Sequence, residues 1–135
     1  MHVHQRMTQQ KRVILEELQK VYTHPTADEV YEMVRKRIHN ISLGTVYRNL
    51  EQLSASGKIL KLELAGTQKR FDATIEPHHH IRCTSCGRVD DVERVEGNLE
   101  GIRCEANGYT VDAYRLEFFG RCQACLAKER TEVQQ

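Results

Sequence analysis

Tryptophan is absent from this 135-residue chain, and aromatic residues make up only 6% of it. With so little bulk its cores are modest, and it is expected to need a staple or a second subunit to hold them. No run of apolar residues approaches the roughly 20 that cross a bilayer, which excludes a membrane protein. Met1-His2-Val3-His4-Gln5-Arg6 leads into no apolar stretch, so a secretory signal is not expected either. Internal repeats and low-complexity tracts are missing, and 39% hydrophobic with 29% charged residues is the balance of a folded chain. No Ser/His/Asp order, phosphate-cradling glycine loop or pair of acid/base carboxylates stands out, so no enzymatic role is expected. What remains is a soluble, cytoplasmic protein of mixed helix and strand, with neither a membrane nor a small organic substrate among its expected partners.

Cysteine is missing before residue 83, although the chain has five. Charge divides at a similar place. Residues 1–75 carry 12 Lys/Arg against 8 Asp/Glu, and residues 76–135 carry 8 against 11. A basic, cysteine-free front and an acidic back rich in Cys and His predict two modules. The expected division is a first domain over 1–74, a hinge over 75–77 and a second domain over 78–135.

The front module reads as three helices and a hairpin. Thr8 can cap a helix whose Ile14, Leu18 and Val21 recur at i, i+4 and i+7, with Leu15 widening the stripe. Thr23-His24-Pro25 interrupts it. Thr26, with Glu29 three residues on, forms a capping box for a second helix that buries Val30, Met33 and Val34. Ser42 caps a third helix with Val46, Leu50 and Leu53 inward, and Gly57 stops it. A strand is predicted from Ile59 to Leu64, with Leu60, Leu62 and Leu64 on one side. Ala65 to Gln68 turns it, and a return strand runs over Lys69 to Asp72. This is the element order of a winged helix-turn-helix. Inward Val46, Leu50 and Leu53 leave Thr45, Tyr47, Arg48 and Asn49 on or beside the outer face. With Ser42 at its start, that helix is the candidate DNA reader, contacting base edges and phosphates. Any solvated helix shows polar residues, however, and helix–hairpin order also occurs outside DNA binding.

The back module carries metal chemistry. Cys83-Thr84-Ser85-Cys86 and Cys122-Gln123-Ala124-Cys125 are two CxxC pairs 35 residues apart. Two intervening residues let a tight knuckle aim both thiolates at one ion, and two knuckles complete a tetrahedral structural zinc site. A disulfide or a pair of redox motifs are the alternatives, and a cytosolic setting argues against structural disulfides. Cys104 has no such partner and is expected to be a small buried apolar residue. Between the pairs, a helix is predicted over Asn98 to Asn107, ended by Gly108, then a long strand over Tyr109 to Phe119. Further strands are predicted at His80–Arg82 and Val89–Val92. An α/β unit of this kind with an open edge suits strand-to-strand dimerisation. On a strand, His78 and His80 face one side and His79 the other. With Asp90-Asp91 they could hold a second ion of the iron, manganese or zinc type; a polar strand edge with exposed histidines is the alternative.

Thr8, Gln10 and Arg12, the run His24-Pro25-Thr26-Ala27-Asp28-Glu29-Val30-Tyr31, Ser42-x-x-Thr45-Val46-Tyr47-Arg48-Asn49-Leu50, Arg70-Phe71-Asp72, His78-x-His80-x-x-Cys83-x-x-Cys86-Gly87 and Gly120-x-Cys122-x-x-Cys125 closely resemble the ferric uptake regulator family. The resemblance spans about residues 6 to 126. It implies an α+β chain: an N-terminal winged helix-turn-helix followed by a small α/β dimerisation domain with a four-cysteine zinc site. It implies a homodimeric, metal-dependent repressor of double-stranded operator DNA. Cys83, Cys86, Cys122 and Cys125 would hold one structural zinc per subunit, and His24, Asp72, His78, His80 and Asp91 a regulatory Fe(II) or Mn(II).

Asp91 stands where the iron-sensing branch usually has Glu, and this makes the chain most similar to the peroxide-sensing branch. There, iron-catalysed oxidation of a ligand histidine releases the DNA; by resemblance the oxidised residues are His24 and His78. Mn(II) in the same site represses without sensing. An iron- or zinc-level uptake regulator is the alternative within the family. Tyr114 occupies a position usually held by histidine in a further metal site, which is therefore expected to be absent or altered. The chain is also expected to lack most of the family's leading helix.

Overall fold

A computed structural model describes residues 6–64, 68–97 and 100–133. Helix α1 (Gln9–Gln19) starts at Thr8, whose hydroxyl accepts the Lys11 N–H; α2 (Ala27–Val34) starts at Thr26; α3 (Leu43–Ala55) starts at Ser42, whose hydroxyl accepts the Thr45 N–H. All three caps are the predicted ones. At Thr26 the box is complete, with Glu29 N–H donating to the Thr26 hydroxyl and Glu29 Oε1 accepting from the Thr26 N–H at 3.1 Å. Thr26→Ala removes the reciprocal pair and is expected to lower stability by about 1 kcal/mol, measured as a shifted urea midpoint at constant slope. Gly57 ends the third helix at φ 78°, in the left-handed region that costs glycine nothing.

Strands β1 (Leu60–Leu62) and β2 (Arg70–Asp72) pair antiparallel, Leu60 opposite Asp72 and Leu62 opposite Arg70. The hairpin leans on the helices through Phe71, which is fully buried with Val13, Ile14, Leu18, Val30, Val34, Ile41, Val46, Leu50, Leu53 and Ile59. The strand is shorter than the Ile59–Leu64 expected; Leu60 and Leu62 are half-buried, and Ile59, one residue before it, enters the core. Part of the predicted turn, residues 65–67, lies outside the described residues.

A second sheet has the order β4-β3-β5. Strand β3 (His80–Cys83) is antiparallel to β4 (Val89–Asp91) and parallel to β5 (Phe118–Gly120). Helix α4 (Gln123–Val133) follows. Two expectations fail here. Residues 100–107 are not helical, Asn98 and Leu99 lie outside the described residues, and of the long strand over 109–119 only its last residues pair. The cause is a missing surface: Ile102, Tyr109, Val111 and Tyr114 are exposed, and a helix stripe or strand edge forms only where something covers it. Cys104 is likewise exposed and non-helical, not the buried residue expected.

Candidate metal centres and nucleic-acid interface

The third helix presents the outer face predicted for it, with one correction. Ser42, Tyr47 and Arg48 are exposed and Thr45 is half-buried, whereas Asn49 is 7% exposed. Asn49 falls three residues after Val46 and four before Leu53, so it sits at the margin of the buried stripe. Thr45 is turned by its own cap, its hydroxyl lying 2.8 Å from that of Ser42.

The four cysteines converge from both ends of the back module. Cys83 ends β3, Cys86 closes the turn after it, and Cys122 and Cys125 come from the approach to α4 and its first turn. Their four sulfurs lie within 4.8 Å of one another, with Cys83–Cys125 at 3.7 Å and Cys86–Cys122 at 3.8 Å. Thiolates each about 2.3 Å from a tetrahedral zinc stand about 3.8 Å apart, so the donor set fits the ion. Gly87, at φ 82°, closes the knuckle by donating its N–H to the Cys83 carbonyl at 2.9 Å. The backbone N–H groups of Cys122 and Cys86 point at the Cys83 sulfur and pull its pKa down to about 5. Cys125 behaves oppositely: hydrogen bonding to the Cys122 thiol, then burial, push it up to about 12. Loading zinc therefore displaces protons from a site partly prepared as thiolate.

The second cluster is assembled from distant segments. His24 lies in the loop between α1 and α2, Asp72 ends β2, His78 precedes β3, and His80 and Asp91 are cross-strand partners in β3 and β4. Nε2 of His78 is 2.9 Å from Asp72 Oδ2 and 3.1 Å from Asp91 Oδ1. Nε2 of His24 is 2.9 Å from Asp91 Oδ1 and 3.3 Å from Asp72 Oδ2, and that of His80 is 3.2 Å from Asp72 Oδ2. Adjacent ligands at about 2.1 Å from a six-coordinate ion stand about 3 Å apart, so these spacings suit a small divalent ion.

The surrounding groups orient the donors. His24 Nδ1–H donates to the Val89 carbonyl at 2.8 Å and His78 Nδ1–H to the Glu76 carbonyl at 2.6 Å, which leaves each Nε2 lone pair for the centre. Asp72 Oδ1 accepts the Thr74 N–H at 2.9 Å, leaving Oδ2 inward. Burial alone would raise the Asp72 pKa; the Thr74 N–H and the His80, His24 and His78 imidazoles outweigh it and hold the carboxyl below its ordinary range. Burial lowers His80. At His78 the Glu76 carbonyl with Asp72 and Asp91 overcomes burial and raises the pKa. Three imidazoles and two carboxylates neutralise a divalent charge and mix N and O donors as iron or manganese prefers. His79 points the other way, against Phe118, as the strand alternation requires. Asp90 leaves the cluster and pairs with Arg88 at 2.8 Å.

The model of the ferric uptake regulator family matches residues 2–119. The chain belongs to this family. It is 35% identical over 125 residues to the peroxide operon regulator of Bacillus subtilis, covering 92% of this chain and 86% of that one. The crystal structure of the Campylobacter jejuni peroxide stress regulator is 34% identical, with a TM-score of 0.56 over 62% of this chain and 61% of that one. The fold is also that of the Francisella tularensis ferric uptake regulator solved with iron, at a TM-score of 0.67 and 21% identity over 93% of this chain and 98% of that one. Within the family frame, the cysteine cluster fits the structural zinc and the His/Asp cluster fits the regulatory iron or manganese. All nine clustered residues were expected, His24 and Asp72 through the family resemblance alone, but the groups that orient them were not. Val89, Glu76 and Thr74 act through backbone atoms, which carry no residue signature.

Proposed function

We propose that this chain is a metal-dependent homodimeric repressor. It binds double-stranded operator DNA in the cytoplasm and senses hydrogen peroxide through oxidation of a ligand histidine. One observation carries the reading: a single cluster joins His24 and Asp72, beside the helix-and-hairpin core, to His78, His80 and Asp91 of the second sheet. In this reading residues 1–74 are the winged-helix DNA-binding domain, 75–77 the hinge and 78–135 the dimerisation domain. Five ligands drawn from both sides of the hinge tie the DNA-binding domain to the dimerisation domain at one angle, and the paired recognition helices then match successive major-groove turns. Loss of a ligand repopulates arrangements that do not fit.

Held by these ligands, Fe(II) would catalyse transfer of one peroxide oxygen to a ligand imidazole: the histidine would supply the two electrons and the second oxygen would leave as water, a reaction Mn(II) would not promote. His24 and His78 are the residues assigned to that fate. His78 is 19% exposed against 2% for His24, so peroxide enters from its side. Each molecule consumes peroxide once, with its own side chain, and there is no turnover. Cys83, Cys86, Cys122 and Cys125 are assigned one structural zinc per subunit. The homodimer rests on Ile102, Tyr109, Val111, Tyr114 and Phe119, whose exposure suits cover by a second copy. The peroxide regulators of B. subtilis and C. jejuni are similar to this chain at more than 30% identity, which favours the peroxide reading over an iron- or zinc-uptake regulator.

DNA contact is assigned to Ser42, Thr45, Tyr47 and Arg48; Asn49, being buried, is withdrawn. Binding to duplexes selected from a random pool in Mn(II) tests this. Tyr47→Ala and Arg48→Ala are each expected to weaken the complex by about 1–3 kcal/mol with zinc content unchanged. Wild-type affinity should fall steeply with salt. Normal binding by both variants would remove the third helix as the reader.

A further inference from the structure

Arg70 stands one residue from Phe71 in the core and two from Asp72 in the metal cluster. Its guanidinium spans two backbones. Nη1 donates to the His24 carbonyl at 3.0 Å, and Nη2 donates to the carbonyl of Gly87, the residue that closes the Cys83–Cys86 knuckle, at 3.2 Å. Glu29 Oε1, already engaged with Thr26, lies 3.5 Å away, and among the described residues the buried Nε finds no hydrogen-bond partner. A cation only 18% exposed with one donor unsatisfied is a costly residue to keep unless its other donors hold something.

What they hold is a strained turn. His24 has φ 54°, the positive region that L-residues rarely adopt, and it precedes Pro25, whose ring further restricts it. The same turn is bound to β2 by the Phe71 N–H on the Pro25 carbonyl at 2.9 Å and by the Thr26–Arg70 bridge. We propose that Arg70 is the positioning residue for His24: it clamps the histidine's backbone to the zinc knuckle, so that the knuckle serves as the fixed point against which the imidazole is aimed into the ligand cluster. The inference rests on His24 being a ligand, as argued above. The rigid fork matters because each carbonyl is met by its own nitrogen, Nη1 or Nη2, a placement that the single nitrogen of a flexible lysine does not reproduce.

The test uses the full zinc-loaded chain and no DNA, so it stands apart from the repressor reading. Arg70→Met is expected to retain one zinc per chain and to bind Mn(II) at least about tenfold more weakly, with Arg70→Lys recovering only part of the loss. In a His24→Ala background, Arg70→Met is expected to have no further effect on Mn(II) affinity, which a general loss of stability would not produce. In the manganese-free protein, the His24 Nδ1–H resonance should exchange faster with solvent in Arg70→Met than in wild type. This readout decides the positioning claim even if wild type binds no Mn(II), a result that would count against the ligand assignment alone. Wild-type exchange of that proton in Arg70→Met, or a loss of Mn(II) affinity that persists undiminished in the His24→Ala background, would overturn the proposal.

Discussion

Cys125→Ser is expected to empty the structural zinc site and to melt the second sheet with α4 while the helix-and-hairpin core survives. Cys125 is buried at the start of α4 and meets Cys83 of β3 at 3.7 Å. Little else in α4 is buried among the described residues, so the ion is the main attachment of that helix to the sheet. Structural zinc sites contribute on the order of 10–16 kcal/mol to folding at neutral pH, well beyond what three short strands can supply. The other core runs from Val13 to Phe71 and uses none of the cysteines. Zinc content should therefore fall from one per chain to background. Amide protection should collapse over 80–133 and persist in α1, α2 and α3. Full zinc retention would mean that the four sulfurs do not act as one site.

Asp72→Ala should produce the second large effect, at the other cluster. Asp72 Oδ2 is a neighbour of His24, His78 and His80 alike, at 3.3, 2.9 and 3.2 Å, and is by far the more buried of the two carboxylates. Its removal leaves three imidazoles with Asp91, itself 42% exposed, as the remaining carboxylate of the cluster. Mn(II) affinity is expected to fall at least about 100-fold with zinc content unchanged, and metal-dependent DNA binding should go with it. There is also a consequence for acid stability. A carboxyl whose folded pKa lies below its unfolded value stabilises the fold above the ordinary carboxylate range, and that contribution is lost as pH falls through the folded pKa. The variant should accordingly lose the part of the wild-type decline that Asp72 causes at acid pH. Titration of Mn(II) by its free-ion resonance, beside zinc analysis and acid unfolding, measures all three effects.

These expectations differ in how openly the sequence announces their residues. The caps at Thr8, Thr26 and Ser42 are local chemistry, written within four residues, and each helix begins where its cap requires. The CxxC pairs are equally local. His24 and Asp72 are not: nothing in their immediate neighbourhood distinguishes them from a loop histidine and a strand-end aspartate, and only the family resemblance attached them to His78, His80 and Asp91. Asn49 misled because a residue at the edge of a helical stripe can turn either way, and packing decided. Helix α4 was missed because it has no apolar stripe; its register is set by thiols rather than by a core. The segment over 100–117 failed for the reverse reason. Its alternation is real, but Ile102, Tyr109 and Val111 are exposed, and only Phe118–Gly120 at its end joins a ladder among the described residues.

Mapping oxygen onto the ligand histidines distinguishes a peroxide sensor from a regulator of metal level. Zinc-loaded protein is charged anaerobically with Fe(II), and a control with Mn(II). Stoichiometric hydrogen peroxide is then added and the peptides are weighed. One added oxygen is expected at His24 or His78 in the iron sample alone, with the four cysteines still holding zinc and DNA binding lost in proportion. Unmodified histidines in protein that demonstrably holds iron would contradict it, and would leave a regulator that reads the level of a metal rather than the presence of peroxide.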